Sequence, residues 1–199
     1  MIYDGAPSRS LPAIAASIRR RLDAGMRCMY MNSPAMVAGL GSQLYAVGTN
    51  LERELARGAL MFGSDGHLVD GRFDIDRMIE ILATAVDQAL ADGYAGLFAT
   101  GDMTWEFGPE RDFSKLLDYE WRLEQLFRKE PALSGICQYH CDLLPRQAVR
   151  DGVVSHENLF INDTITRLNP HYARSPAERK AAAQPQLDDA IDVLFAIKR

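Results

Sequence analysis

Cysteine is scarce in this chain: Cys28, Cys137 and Cys141 are the only three in 199 residues. So sparse and odd a set excludes a disulfide-stapled scaffold and fits reduced thiols. No apolar run approaches the ~20 residues that cross a bilayer, which excludes a membrane-spanning helix. The opening Met1-Ile2-Tyr3-Asp4-Gly5 has neither a basic nor an apolar signal region, so no secretory signal is expected and the chain reads as cytoplasmic. Basic charge is not in excess either. Lys and Arg number 22 against 27 Asp and Glu, a net charge of -5, whereas a nucleic-acid module needs a concentrated basic face. The one basic cluster, Arg19-Arg20-Arg21 with Arg27, falls at a predicted helix end, where cations complement the helix dipole.

Phosphate-binding glycine patterns are also missing. The turn Asp4-Gly5-Ala6-Pro7-Ser8-Arg9-Ser10 lacks the lysine and the glycines of a P-loop, and Gly39-Leu40-Gly41 is a lone pair without a third glycine or a preceding strand. No Gly-x-Ser-x-Gly elbow occurs. What is present, 47% hydrophobic and 25% charged residues, excludes a disordered chain and suits one soluble domain, or one domain plus a tail.

Short apolar runs alternate with longer amphipathic stretches to about residue 161. The candidate strands are Met1 to Tyr3, Arg27 to Met31, Ala59 to Phe62, Ala95 to Thr100, Leu133 to Tyr139 and Asn158 to Ile161. Their nearly continuous apolar character predicts strands covered on both faces. Leu11, Ile14, Ala15, Ile18 and Leu22 form a helical stripe ended by Gly25. Ile75, Met78, Ile79, Leu82, Val86 and Leu90 form a second, led by Asp74 and closed by Gly93. Right-handed crossovers then give an α/β three-layer sandwich with a mostly parallel central sheet. Residues 32–57 read as helical in their second half, weakened by Gly39, Gly41 and Gly48, and the segment Ser64 to Arg72 reads as a polar, mobile loop. After Pro170 the composition turns small, charged and proline-flanked. This predicts a division into residues 1–170 and a tail, 171–199, of exposed linker or weak helix. In the tail, Leu187, Ile191, Leu194 and Ile197 make a narrow stripe able to dock on the body or on a second copy.

Three places could carry chemistry. Ligands in open α/β sheets bind at the carboxyl ends of strands, and the fourth candidate strand runs directly into Gly101-Asp102-Met103-Thr104-Trp105. Asp102 either meets a ligand or caps the next turn, and Trp105 is either a pocket wall or core. Glu120 shares a helical face with Leu116, Leu123 and Phe127, so it must find a partner, take up a proton, or reach water at an edge. The fifth strand ends in Cys137-Gln138-Tyr139-His140-Cys141. Cys137, His140 and Cys141, with His156 as a fourth, are conceivable metal ligands, but strand alternation sends Cys137 and Tyr139 to one face and Gln138 and His140 to the other. No metal is therefore expected.

Taken together, these residues resemble the MEDS sensory domain of methanogen and methylotroph regulators of the dichloromethane-repressor type. The matching pieces are residues 19–30, Asp70-Gly-Arg-Phe-Asp74, Gly93-Tyr-Ala-Gly-Leu97, Gly101-Asp-Met-Thr-Trp105, Tyr119-Glu120 and Cys137-Gln-Tyr139, in family order over about residues 2 to 172. The resemblance implies a RecA/KaiC-like domain without a phosphate loop, with a C-terminal helical tail added here. It also implies a non-catalytic signal-input domain, thought to perceive small organic molecules and often joined to a kinase or DNA-binding module. On this reading Asp102, Trp105, Glu120, Gln138, Tyr139 and His140 line a ligand pocket at the strand ends, and no cofactor is expected. Because no output module is recognisable, the signal is expected to pass to a protein partner or a second copy through the tail helix, with no nucleic acid or membrane involved. Two alternatives stand beside it: a nucleotide-dependent ATPase or transferase with a degenerate RecA-like site, and a purely structural adaptor.

Overall fold

The computed structural model describes residues 1–63, 65–160, 166–180 and 185–196. In chain order the elements are β1 (Ile2–Tyr3), α1 (Leu11–Asp23), β2 (Arg27–Met31), α2 (Pro34–Ala46), α3 (Leu51–Ala56), β3 (Leu60–Phe62), β4 (Leu68–Val69), β5 (Arg72–Phe73) and α4 (Ile75–Ala91). They continue with β6 (Leu97–Asp102), α5 (Met103–Glu106), α6 (Leu116–Lys129), β7 (Leu133–His140), α7 (Arg146–Ser155), β8 (Asn158–Phe160), β9 (Thr166–Leu168), α8 (Pro176–Lys180) and α9 (Pro185–Ala196).

Five strands form one parallel sheet in the order β1-β7-β6-β2-β3. Strand alternation divides the core into two layers. Cys28, Tyr30 and Phe98 face Ile14 and Ile18 of α1 and Leu40 and Leu44 of α2, while Met29, Met31, Leu97 and Ala99 face α4, α6 and α7. This is the expected three-layer α/β sandwich. Asp74 caps α4, its carboxylate accepting from the Arg77 amide at 2.8 Å. Gly25 and Gly93 follow their helices at φ 76° and 83°, the left-handed region that stops a helix.

Several expectations are corrected. Asn158–Phe160 does not join the parallel sheet but pairs antiparallel with β9, the carboxyl end of β7 being already paired to β1; Ile161 lies outside the described residues. Both halves of residues 32–57 are helical: Ser33 caps α2 with Pro34 in its first turn, so packing overrides the glycines. The segment after Gly63 is ordered into a 3-10 turn and the β4–β5 hairpin, with His67 buried and bonded through Nε2 to the Glu106 carbonyl at 2.9 Å; Ser64 lies outside the described residues. Arg27 is not at a helix end but buried at the start of β2. Its Nε donates to Gly58 O at 2.8 Å, its Nη2 to Asp92 at 2.6 Å, and its guanidinium lies 4.6 Å from the Tyr94 ring centroid.

Part of the tail predicted as an exposed linker or weak helix is the helix α8, and it buries Arg179. Further on, α9 docks on the body. Leu187 and Ile191 enter the same apolar cluster as Val149 and Val153 of α7, and Arg146 and Arg150 pair with Asp192 and Asp188. Ile197 and the side chain of Leu194 lie outside what is described.

Candidate functional site

At the carboxyl end of the sheet, register places Tyr3 beside His140 and Asp102 beside Gln138. The buried Asp102 accepts from the Thr104 amide at 2.9 Å and from the Thr104 hydroxyl, capping α5, and it also accepts from the Tyr3 hydroxyl at 2.5 Å. Capping is therefore what its carboxylate does. Gln138 donates to Thr100 Oγ1 at 2.9 Å. His140 stacks on Tyr3 at 4.7 Å and bonds Gly5 O through Nε2 at 2.8 Å. Gln138 Oε1 and His140 Nδ1 are buried without a hydrogen-bond partner among the described residues.

Tyr139 and Glu120 of α6 meet on the opposite face of the sheet, so five of the six residues expected in one pocket are split between two places. Trp105 belongs to neither: it packs on the α4/α6 side, with its ring 5.0 Å from His67.

Glu120 is buried, at 3% exposure, as its apolar stripe implied. Tyr139 donates to its Oε1, and His156 Nε2 lies 3.5 Å from its Oε2. The Cys137 sulfur lies within 4.8 Å of the same carboxylate, and burial, reinforced by the charges of Glu120 and Glu106, holds that thiol well above its ordinary range. Burial and the Glu120 charge raise the Tyr139 phenol in the same way.

Sequence reasoning missed Glu106. This carboxyl folds back over Gly101, where a Cβ would lie 1.7 Å from Glu106 Oε1, so the glycine admits a side chain of the chain itself rather than a ligand. Burial pushes Glu106 up to about 8, against a 3.0 Å hydrogen bond from Tyr119 that pulls it down and a Glu120 charge that adds to the rise. The available signal was its place between Trp105 and Phe107, an acid inside an aromatic run.

A cleft of about 390 Å³ opens beside Glu120, between α6, the first half of β7 and the α7–β8 junction. It therefore lies alongside the sheet face, away from the strand ends where a pocket was expected. Leu123, Phe127 and Leu133 supply apolar walls; Glu120, His156 and Ser155 supply polar groups, while Ser134 lines the cleft from β7 in register with Phe98, which turns its side chain to the α1 face. The hydroxyls of Ser134 and Ser155 are buried and have no hydrogen-bond partner among the described residues. Neither serine carried a sequence signal, since small polar residues at a strand start and a helix end are ordinary.

Compared with known proteins, the chain matches one family model over residues 1–157, described as MEDS: MEthanogen/methylotroph, DcmR Sensory domain. No curated protein matches it.

Proposed function

The chain belongs to the MEDS family of sensory domains, and from that premise we propose that it is a non-catalytic, cytoplasmic sensor of a small organic molecule. The ligand fills the cleft between α6, β7 and the α7–β8 junction. One observation carries this reading: a cleft of about 390 Å³ walled by Leu123, Phe127 and Leu133 is edged by the Glu120 carboxylate, the His156 imidazole and Ser155, whose buried hydroxyl has no partner among the described residues. A buried hydroxyl without a partner costs free energy, and a site edged by one is suited to a guest that satisfies it. The volume suits a small molecule with an apolar body and one or two polar groups.

Occupancy is passed on through α7. Ser155 ends that helix at the cleft, and Arg146 and Arg150 near its other end hold Asp192 and Asp188 of α9. The exposed side of α9, which includes Val193, then meets a regulatory protein or a second copy, in transcriptional or other signal transduction.

The test is thermal shift of the purified protein against a panel of small organic compounds and nucleotides. A hit that raises Tm in the native protein should bind roughly tenfold more weakly in Ser155→Ala, the loss of about one hydrogen bond. Unchanged affinity in Ser155→Ala would remove the cleft from consideration, and magnesium-dependent nucleotide turnover would favour an enzyme.

A further inference from the structure

Glu120, Cys137 and His156 come from α6, β7 and the residue just after α7, yet their carboxylate oxygen, thiol sulfur and imidazole nitrogen all lie within 4.8 Å of one another. We propose that these three side chains bind a divalent transition metal of the zinc class, with the remaining coordination position turned toward the cleft.

The donors are already oriented. His156 Nδ1 is 2.7 Å from Gly152 O, so the ring donates there and leaves the lone pair of Nε2 facing Glu120. Tyr139 occupies Oε1 of Glu120, which leaves Oε2 toward the imidazole. A backbone carbonyl behind the histidine and a phenol behind the carboxylate are the supporting contacts that metal ligands use. One sulfur, one nitrogen and one oxygen make a borderline-soft set suited to Zn²⁺, and three protein ligands with one open position is the arrangement of zinc sites that receive a small molecule.

At a tetrahedral angle, bonds of roughly 2.1 and 2.3 Å hold two donors about 3.6 Å apart, so a pair as wide as 4.8 Å closes by about 1 Å on binding. The Cys137 S–H bond breaks as the S–metal bond forms, and the proton leaves to solvent. Of the four ligands conceivable from sequence, Cys137 and His156 are retained; Glu120 joins them, while His140 lies across the sheet bonded to Gly5.

The ion and the organic guest are separable, since a metal can bind whether or not the cleft is filled. Chelator-treated protein is titrated with Zn²⁺ alone and with Co²⁺ alone. One equivalent of Zn²⁺ should bind, and Co²⁺ should give a thiolate-to-cobalt charge-transfer band that persists in Cys28→Ala and Cys141→Ala and vanishes in Cys137→Ser. His156→Gln and Glu120→Gln, with folding checked by circular dichroism, should each weaken Zn²⁺ binding by roughly tenfold or more, at least the loss that removal of a supporting group causes. Absence of saturable one-to-one binding in the native protein would overturn the assignment, as would a cobalt band that survives Cys137→Ser, or unchanged Zn²⁺ affinity in folded His156→Gln. None of these outcomes depends on an organic ligand, so the cleft reading stands or falls separately.

Discussion

Tyr139 donates its phenolic hydrogen to Glu120 while its ring presses on Gly152, so closely that a Cβ at Gly152 would sit 2.4 Å from the ring's Cε1. The glycine of α7 and the carboxylate of α6 are thus linked through one rigid aromatic side chain. Helix propensity alone would make Gly152→Ala stabilising by up to about 1 kcal/mol. Because the ring is held at both ends, the opposite sign is expected, a loss of roughly 1 to 3 kcal/mol in denaturant melts. In Tyr139→Phe the hydroxyl is gone and the ring is free to shift, so the cost of adding Gly152→Ala should shrink. Additive losses would mean the two contacts are independent.

Glu106 makes stability depend on pH in a defined window. Its folded value of about 8 lies above the ordinary 4.5, because burial disfavours the carboxylate. The folded state therefore binds the proton more tightly, and the contribution is full below about 4.5 and lost as pH rises toward 8. Unfolding free energy should fall across that interval by up to about 1.4 kcal/mol per pH unit from this group. Glu106→Gln keeps the Tyr119 contact and should flatten the profile; an unchanged slope between pH 5 and about 8 would assign the dependence to other groups.

Ser134 and Ser155 should behave unlike ordinary buried residues. Removing an unpartnered hydroxyl relieves a desolvation cost, so Ser134→Ala and Ser155→Ala are expected to leave unliganded stability within about 0.5 kcal/mol or to raise it. Thermal melts of the ligand-free protein check this. A loss above roughly 1 kcal/mol in either variant would mean that its hydroxyl has a partner in solution.

The buried guanidinium of Arg179 donates to Ala173 O at 3.1 Å and to Glu124, and lies 5.3 Å from the Trp121 ring. Arg179→Met keeps much of the volume and strips the charge from beside Glu124. A loss of about 2 kcal/mol or more is expected, since breaking a buried pair leaves the partner uncompensated. Trp121 emission, isolated in a Trp105→Phe background, should shift with the same substitution.

The apolar strands were legible because burial on both faces writes itself as continuous hydrophobic sequence, as in Arg27-Cys-Met-Tyr-Met31. Boundaries and partners were less so. Asn158–Phe160 has the composition of a sheet strand, and only the fold shows that its partner is β9. Glu120 could be read as buried from one helical face, while its partners Tyr139 and His156 are set by how β7 and α7 pack against α6. Gly101 and Asp102 look like a ligand turn from sequence alone. The carboxyl that fills the space over Gly101 comes from Glu106, five residues on, and the phenol that satisfies Asp102 comes from Tyr3 at the far edge of the sheet.

Arg27 reaches the carbonyl of Gly58 after α3 and the carboxylate of Asp92 after α4, a partner 65 residues away in sequence. Both contacts require β2, β3 and the end of α4 to be in place at once, and such long-range closure comes late because chain entropy must be surrendered first. This buried cation acts as a latch on a finished sheet rather than as part of the folding nucleus. In stopped-flow kinetics Arg27→Met should steepen escape from the native state, raising the unfolding rate while leaving the refolding rate nearly untouched. The lifetime of the folded sensor, more than the speed at which it forms, is what this side chain controls.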